Sequence, residues 1–280
     1  MLQPGPQLTD EELMLLGELI AEQLGISFPD HKRELLATRL RPRLQALRLR
    51  RYYDYYLQLA GNVDGERARL AELVTNHETY FFRELEQIDA LFALALADLK
   101  AAAATPGMVR LLSAGCASGE EAYTLGLCAR RHFAALAGST LTIDAFDVDA
   151  TRVAMARQAL YGPGAFRATP GEVRERYFTP RGADRWELKP AYRTGLRFYW
   201  GNIVALDTFA PAVPYDAVFC RNVLIYFSEP ALHLAADHFA AVLRPGGLLL
   251  LGACESLIGL SSHFETVRLG SSIAYRRVGR

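Results

Sequence analysis

The sequence predicts an all-helical N-terminal domain followed by an α/β domain, which is built around a parallel sheet and carries a small inserted β subdomain. Helical hydrophobic spacing runs from Thr9 to about Tyr80. From about residue 101 onwards, short apolar runs alternate with helical segments, a pattern typical of βαβ units. Between residues 161 and 195 this alternation fails, and Gly, Pro and Arg are frequent. We therefore expect domains at 1–80 and 81–280, with the insertion at about 161–195.

The composition is that of a globular protein. Hydrophobic residues make up 51% of the 280 residues and charged residues 22%, so a sizeable core can be buried. The 31 basic and 31 acidic residues balance, which gives no support for bulk binding to nucleic acid or to a membrane surface. The cysteines lack metal-ligand spacing, and the chain shows neither a signal peptide nor a membrane-length apolar run. We expect a cytoplasmic monomer with reduced thiols and no metal site.

The N-terminal segment contains clear helix boundaries. Thr9-Asp-Glu-Glu12 has the pattern of a capping box, and Gly25 marks the predicted end of the first helix. Between residues 31 and 51, eight Lys or Arg side chains accompany a single acidic residue and a series of leucines. Pro42 should kink or divide this stretch. Further short helices are predicted at 52–59 and 66–74.

The second domain alternates between strands and helices. The predicted strands are 109–114, 141–147, 197–203, 216–220 and 248–252, and the predicted helices are 120–136, 151–160 and 229–243. Two final strands, 264–269 and 273–278, flank a tight Gly270-Ser-Ser turn and suit an antiparallel hairpin at the end of the domain. Within the insertion, short strands are expected at 186–188 and 192–193.

A glycine-containing loop follows the first predicted strand. Gly115-Cys-Ala-Ser-Gly119 ends the strand and opens a helix, which lets the backbone approach a bound nucleoside closely. Asp147 ends the next strand, where a carboxylate can hold both ribose hydroxyls. The third glycine of a dinucleotide fingerprint is absent, which disfavours a nicotinamide dehydrogenase. The alternative is an ordinary turn in which Ser118 and Glu121 only cap the helix.

A second polar cluster follows the predicted strand 216–220. Arg221, Asn222 and Tyr226 come just past its carboxyl end, where open α/β sheets bind their ligands. Asn222 taken alone would also fit a simple turn.

A third segment, Thr75-Asn-His-Glu-Thr-Tyr-Phe-Phe-Arg83-Glu, places polar groups beside three consecutive aromatic residues. The aromatic residues fit a protein core better than a functional site. His77 and Arg83 gain significance only from the pattern around them.

These segments together resemble the CheR-type methyltransferases, which use S-adenosylmethionine (SAM). The resemblance is carried by Glu-Thr-Tyr-Phe-Phe-Arg-Glu, Ser-Ala-Gly-Cys-Ala-Ser-Gly-Glu-Glu, Phe-Asp-Val-Asp and Phe-Cys-Arg-Asn-Val-Leu-Ile-Tyr-Phe. Near the N-terminus, Gly-Ile-Ser-Phe-Pro-Asp-His-Lys-Arg is similar to the family's first passage between helices. The likeness covers nearly the whole chain in the family's order. It implies a class I, Rossmann-like SAM-dependent methyltransferase domain behind an all-α domain, with S-adenosylhomocysteine as product.

The resemblance also implies a set of site residues. Arg83 and Tyr226 would be catalytic, with Tyr226 facing the methyl group. Glu121 would hold the methionine part of SAM, Asp147 the ribose, and Asn202 with Ile203 the adenine. The full implied cofactor-binding set is His77, Thr79, Arg83, Glu121, Asp147, Asn202, Ile203, Arg221 and Asn222.

The implied activity is methylation of glutamate side chains in methyl-accepting chemotaxis receptors. The Asn/Asp-Pro-Pro-Tyr sequence of many N-methylating enzymes is absent after strand 216–220. The receptors' cytoplasmic helices would be the partners, and the basic segment 32–51 would face them rather than form an ordinary solvated helix face. The alternatives are a small-molecule O-methyltransferase and a non-catalytic, SAM-responsive receptor adaptor. Retention of Arg83 and Tyr226 favours the enzyme over the adaptor.

Overall fold

In the computed structural model, helices form the N-terminal part of the chain and a mixed β-sheet forms most of the remainder. The structure describes residues 6–95, 98, 101, 107–132, 140–205 and 211–279. Residue contacts divide the chain into a first unit of Met1–Asn76 with Tyr226–Leu232 and a second unit of His77–Ile225 with His233–Arg280. No helix among the described residues is both long and apolar enough to cross a membrane.

The first unit is helical, as the sequence predicted. Its helices are α1 (Asp10–Leu24), α2 (Arg33–Ala46), α3 (Tyr52–Ala60) and α4 (Glu66–Val74). The predicted capping box is confirmed, because Thr9 and Glu12 exchange hydrogen bonds between each side chain and the other's backbone N–H. Gly25 ends α1 in the left-handed conformation, with φ of 75°, which glycine adopts without strain.

Buried leucines and an ion-paired arginine hold α2 in place. Leu36, Leu40 and Leu44 are fully buried, and their anchoring on both sides of Pro42 fits the observation that the helix is not divided there. Arg43 binds the carboxylate of Glu66, and its hydrogen bonds lower the pKa of that buried group. Part of the basic segment 32–51 therefore stabilises the interior of this unit.

Seven strands form the main sheet of the second unit within the described residues. They are β1 (Met108–Ala114), β2 (Thr140–Asp147), β6 (Leu196–Trp200), β7 (Tyr215–Cys220), β8 (Leu243–Leu251), β9 (Phe264–Leu269) and β10 (Ser272–Arg277). The order is β6-β2-β1-β7-β8-β10-β9, with β10 antiparallel to both of its neighbours and the other pairs parallel. The strand order reverses direction between β1 and β7. Open α/β sheets bind ligands at such a switch point, outside the carboxyl ends of the strands.

Among the described residues, the helices of the second unit are α5 (Leu85–Ala90), α6 (Glu120–Arg131), α7 (Ala150–Gln158) and α8 (Gly171–Tyr177). A further helix, α9 (Glu229–Val242), has residues 229–232 in the first unit and the rest in the second. All six residues of β7 are buried, as expected of a parallel strand covered by helices on both faces. The predicted helix 120–136 agrees with α6 as far as Arg131, and residues 133–136 lie outside the described part of the chain.

The insertion contains a small antiparallel sheet. Its strands are β3 (Leu160–Tyr161), β4 (Phe178–Pro180) and β5 (Trp186–Leu188), in the order β3-β5-β4. The predicted strand at 186–188 is confirmed. The predicted strand at 192–193 is wrong, because a 3-10 turn, Pro190–Tyr192, occupies this position and its first residue is a proline with fixed φ.

Candidate functional site

The loop between β1 and α6 lies tightly against the neighbouring strands. Gly115 and Gly119 have φ of 76° and 91°, values at which any side chain would be strained. A Cβ at Gly115 would lie 2.6 Å from Val223, so no larger residue fits beside the chain that follows β7. The N–H of Gly115 donates to the carbonyl oxygen of Phe146 near the end of β2 at 2.9 Å. The loop therefore joins the carboxyl ends of these strands.

The start of α6 is not capped by Ser118 and Glu121, as an ordinary turn at this position would require. Gly119 occupies the cap position and makes no side-chain capping bond. The hydroxyl of Ser118 donates to the Glu120 carboxylate at 2.8 Å. Glu121 is engaged elsewhere, so the interpretation of Ser118 and Glu121 as a helix cap is wrong.

Asp147 ends β2 as a buried carboxylate, 7% exposed. One oxygen accepts the N–H of Ala117 at 2.7 Å and the other accepts the N–H of Asp149 at 2.9 Å. Burial raises the pKa of Asp147 above its ordinary value. Each oxygen retains capacity for a further hydrogen bond, because a carboxylate offers about four lone-pair sites. Two adjacent hydroxyl groups match that capacity.

His77 is linked to the Asp147 region by its contact with Asp149. Its Nε2 is 2.9 Å from an oxygen of Asp149, and both side chains are largely buried. Asp149 also caps α7 by accepting the N–H groups of Thr151 and Arg152 at 2.8 and 3.1 Å. Burial alone would raise the pKa of Asp149, but the hydrogen bonds from His77 and the backbone lower it. His77 is thus tied to the loop that begins at Asp147.

Glu121 is held from both sides on the first turn of α6. The hydroxyl of Ser113 donates to one oxygen at 2.7 Å, and Nε of Arg221 donates to the other at 2.8 Å. The Arg221 side chain is only 2% exposed, and that of Glu121 is 14% exposed. A charge-assisted bond of this kind fixes the carboxylate strongly, and its oxygens can still accept a ligand N–H.

Arg221 also holds the segment that precedes α5. Its guanidinium donates to the carbonyl oxygens of Arg83 at 2.9 Å and of Glu84 at 3.2 Å. The neighbouring Asn222 donates through Nδ2 to the Glu84 carboxylate at 3.3 Å. The end of β7 and the segment around Arg83 therefore form one hydrogen-bonded group with Glu121.

The guanidinium of Arg83 is a quarter exposed and donates to the carbonyl oxygen of Glu78 at 2.8 Å. It lies 5.6 Å from the ring centroid of Tyr80, and the guanidinium of Arg167 lies 3.9 Å from the same centroid. Thr79 lies half-buried in the same segment. A guanidinium stacked in this way is held in place while donors remain available.

Asn202 and Ile203 follow β6, which ends at Trp200 rather than continuing to 203 as predicted. The strand ends because the side-chain oxygen of Asn202 accepts the N–H of Val204 at 3.1 Å and closes a turn. The N–H of Gly201 donates to the carbonyl oxygen of Asp147 at 3.1 Å. Asn202 therefore comes directly after Gly201, the residue that is hydrogen-bonded to the backbone of Asp147.

Tyr226 lies in the first unit, whereas all the predicted cofactor-binding residues lie in the second. Nδ2 of Asn76 donates to the Tyr226 hydroxyl at 2.5 Å. The carbonyl oxygen of Tyr226 accepts the N–H of Ser27 at 2.8 Å. These contacts fix the tyrosine ring and backbone within its own unit.

Several residues of this group were not selected from the sequence. Ser113 is a polar residue in an otherwise apolar strand, and that feature is the signal that could have identified it. Asp149 follows Asp147 by two residues, and the helix cap that it forms was a local signal as well. Glu84 had no such signal, since its partner Arg221 lies 137 positions away.

Comparison with known families matches most of the chain. The model described as "CheR methyltransferase, SAM binding domain" matches residues 77–273. The model described as "CheR methyltransferase, all-alpha domain" matches residues 11–75. Both matches fall in the order that the sequence resemblance implied.

Individual relatives are similar over most of this chain. "Chemotaxis protein methyltransferase 2" of Vibrio cholerae is 30% identical over 96% of this chain and 93% of its own. "Probable biofilm formation methyltransferase WspC" of Pseudomonas aeruginosa is 31% identical over 92% of this chain and 60% of its own. Among solved structures, magnesium protoporphyrin IX methyltransferase from Synechocystis with bound SAM is 16% identical, with a TM-score of 0.39 over 77% of this chain and 92% of that one.

Proposed function

This chain belongs to the CheR methyltransferase family, and on that premise we propose that it transfers the methyl group of SAM to glutamate carboxylates of methyl-accepting chemotaxis receptors. The products would be glutamate methyl esters and S-adenosylhomocysteine. The observation that supports this most is a pair of carboxylates at the carboxyl edge of the parallel sheet, the buried Asp147 and the partly buried Glu121. Both are held by protein donors and both retain acceptor capacity.

The chemistry of these residues fits SAM as the cofactor. The two oxygens of Asp147 suit the two ribose hydroxyls, because each already has a single backbone donor. Glu121, fixed by Ser113 and Arg221, suits the ammonium group of the methionine part. Adenine would be held by the chain at Asn202 and Ile203. We propose that the remaining contacts come from His77, Thr79, Arg83, Arg221 and Asn222.

The reaction requires little acid–base chemistry from the protein. When bound, SAM supplies an electrophilic methyl group on a positively charged sulfur. A substrate glutamate, with an ordinary pKa near 4.3, is already a carboxylate at neutral pH and needs no general base. The protein must orient that carboxylate and exclude water from it, and such positioning can lower a barrier by roughly 7–11 kcal/mol.

Arg83 and Tyr226 are the residues that we propose for orienting the substrate. The Arg83 guanidinium is stacked and partly exposed, so it can offer N–H donors to a carboxylate without burying it. A loose contact suits the reaction, because a tight bidentate pair would reduce the nucleophilicity of the carboxylate. The Tyr226 hydroxyl, held by Asn76, would act beside the methyl group.

The helical domain, residues 1–80, would recognise the receptor in the cytoplasm. Arg39 and Arg43 are occupied by contacts within their unit, whereas Arg48 and Arg50 are exposed. Arg51 is also exposed, although its guanidinium pairs with the Asp54 carboxylate at 2.6 Å. These exposed charges would face the acidic methylation helices of the receptor. Exposed basic residues of this kind suit an acidic macromolecular substrate, and they favour the proposal over a small-molecule O-methyltransferase.

Incubation with methyl-labelled SAM and purified cytoplasmic fragments of receptors tests the proposal. Label should enter the receptor fragment and be released as methanol by mild base, since carboxyl methyl esters are base-labile. The Arg83→Ala variant is the matched negative control. Label that enters only small molecules would support the small-molecule enzyme instead. Binding of S-adenosylhomocysteine without any transfer would support the adaptor.

A further inference from the structure

The turn after β8 returns the side chain of Glu255 to the end of β7. The N–H of Glu255 donates to the carbonyl oxygen of Gly252 at 3.0 Å, which closes the turn. In the described part of the chain, the Glu255 carboxylate accepts five backbone N–H groups. Oε2 accepts from Gly252 at 2.6 Å and Asn222 at 2.7 Å, and Oε1 accepts from Val223 at 2.8 Å, Leu224 at 2.7 Å and Ile225 at 3.3 Å.

Successive backbone N–H groups that converge in this way form an anion-binding concavity. The protein fills this concavity with its own carboxylate, and hydrogen bonds to an ionised acceptor are shorter and about twice as strong as neutral ones. Both oxygens are needed as acceptors. A glutamine would replace one of them with an NH₂ group, which is a donor and would face two or more backbone donors.

The absence of a side chain at Gly252 is a second observation that supports the contact between Glu255 and the end of β7. A Cβ at Gly252 would lie 2.8 Å from Oε2 of Glu255 and 2.7 Å from Nδ2 of Asn222. Backbone and carboxylate can approach this closely only when residue 252 has no side chain.

The contact fixes a backbone conformation that is costly by itself. Asn222 has φ of 60°, in the left-handed region that residues other than glycine rarely adopt. Such conformations persist where the surrounding structure holds them, and they cluster at functional sites. The side chains of Asn222 and of the preceding Arg221 both project from this backbone towards Glu84 and Glu121. Their placement depends on the turn that Glu255 holds.

We infer that Glu255 is a positioning residue for the SAM site, which acts by fixing the backbone from Asn222 to Ile225 so that Arg221 and Asn222 keep their place at the cofactor edge. The inference rests on the proposed function. Glu255 itself need not touch the cofactor or the substrate.

Glu255→Gln tests the inference, with Glu265→Gln as the matched control. Glu265 is exposed on β9, 3.4 Å from Arg276, and lies outside the group of residues assigned to the cofactor. We expect Glu255→Gln to weaken S-adenosylhomocysteine binding at least about tenfold in calorimetry and to raise KM for SAM without changing KM for the receptor. The control should match the wild type. Glu255→Asp, which keeps both acceptor oxygens, should recover part of the affinity. Affinity within about twofold of the wild type in Glu255→Gln would overturn the inference.

Hydrogen exchange on the wild-type protein keeps the test decisive if Glu255→Gln does not fold. The amides of Asn222, Val223 and Leu224 lie beyond the end of a strand, yet they should exchange slowly because Glu255 accepts them. Exchange at the rate of exposed loop amides would overturn the inference. Failure of the wild-type protein to bind S-adenosylhomocysteine would refute the proposed function. If the wild-type protein binds S-adenosylhomocysteine and Glu255→Gln binds it equally well, only the inference about Glu255 is refuted.

Discussion

Replacement of Asp147 by asparagine separates cofactor binding from folding. The carboxylate accepts one backbone N–H on each oxygen, at 2.7 and 2.9 Å. Asparagine keeps one of those acceptors and turns an NH₂ group towards the other N–H. Hydrogen bonds to a charged group contribute about 1.5–3 kcal/mol. Loss of one ribose contact of this kind should therefore raise Kd for S-adenosylhomocysteine by about 10- to 150-fold.

The effect of Asp147→Asn on stability should be smaller, because two changes oppose each other. Burial raises the pKa of Asp147, so its stability contribution is present below the unfolded pKa and is lost as pH rises through the folded pKa. At neutral pH the neutral amide of asparagine avoids the free-energy cost of burying a charged carboxylate. Its NH₂ group, however, faces a backbone N–H that has lost its acceptor, which costs about 1–3 kcal/mol. We expect Tm to stay near the wild-type value.

Calorimetry with S-adenosylhomocysteine and thermal unfolding measure the two effects. Asp184→Asn, at an exposed turn of the insertion, makes the same chemical change away from the site. Wild-type affinity should also fall on acidification at a pH above the ordinary Asp pKa of about 3.9, whereas the affinity of Asp147→Asn should not follow that titration. Unchanged Kd in Asp147→Asn would refute the assignment of the ribose to this carboxylate.

Four further variants test the proposed catalytic residues, the ionisation of Asp149 and the recognition of the receptor. Arg83→Ala and Tyr226→Phe should each lower methylation at least about tenfold, or about 1.4 kcal/mol of barrier, with Tm near the wild-type value. Asp149→Asn should lower the free energy of unfolding in denaturant titrations at about pH 5, where the wild-type carboxylate is ionised. That difference should shrink below about pH 4, because a lowered pKa gives stability that is lost as pH falls through the folded value. Reversal of the exposed arginines should raise KM for the receptor, increasingly so at low salt, and leave SAM affinity unchanged; the triple variant is Arg48→Glu, Arg50→Glu and Arg51→Glu.

Each of these outcomes has a clear opposite. Parallel loss of folding and activity in the Arg83 or Tyr226 variant would assign that residue to structure instead of catalysis. A pH-independent difference for Asp149→Asn would mean that its bond to His77 does not depend on ionisation. Arg268→Glu reverses an exposed charge on β9 and serves as the control for the arginine reversals. An equal effect of the control would remove the basis for receptor recognition by the helical domain.

The sequence predicted correctly those elements that depend on interactions between residues close together in the chain. The capping box at Thr9 and Glu12 and the end of α1 at Gly25 involve residues close in sequence, so both were readable. The buried apolar runs predicted the strands for the same reason. β8 begins five residues earlier than expected, at Leu243, because Gly246 with φ of 75° lets the irregular start of the strand pair with β7.

Long-range polar pairs were beyond sequence reasoning. Arg221 and Glu121 are 100 positions apart, and Asn222 and Glu255 are 33 positions apart. Arg39 and Arg43 looked like surface charges, but they bind the carbonyl of Val74 and the carboxylate of Glu66. One sequence shows residue types and their spacing. It does not show which strand ends lie next to each other in the fold, and these hydrogen bonds depend on that. The family resemblance supplied most of the site residues, and the hydrogen bonds add Ser113, Glu84 and Glu255.

We propose that the protein esterifies glutamate side chains, and peptide mapping of a methylated receptor fragment by mass spectrometry would locate the ester on individual residues. We expect a mass increase of one methyl group on particular glutamates, its loss after mild base, and its absence when SAM is omitted or Arg83→Ala replaces the wild-type protein. A base-stable methyl group on nitrogen, or an unmodified receptor in the presence of bound SAM, would contradict it.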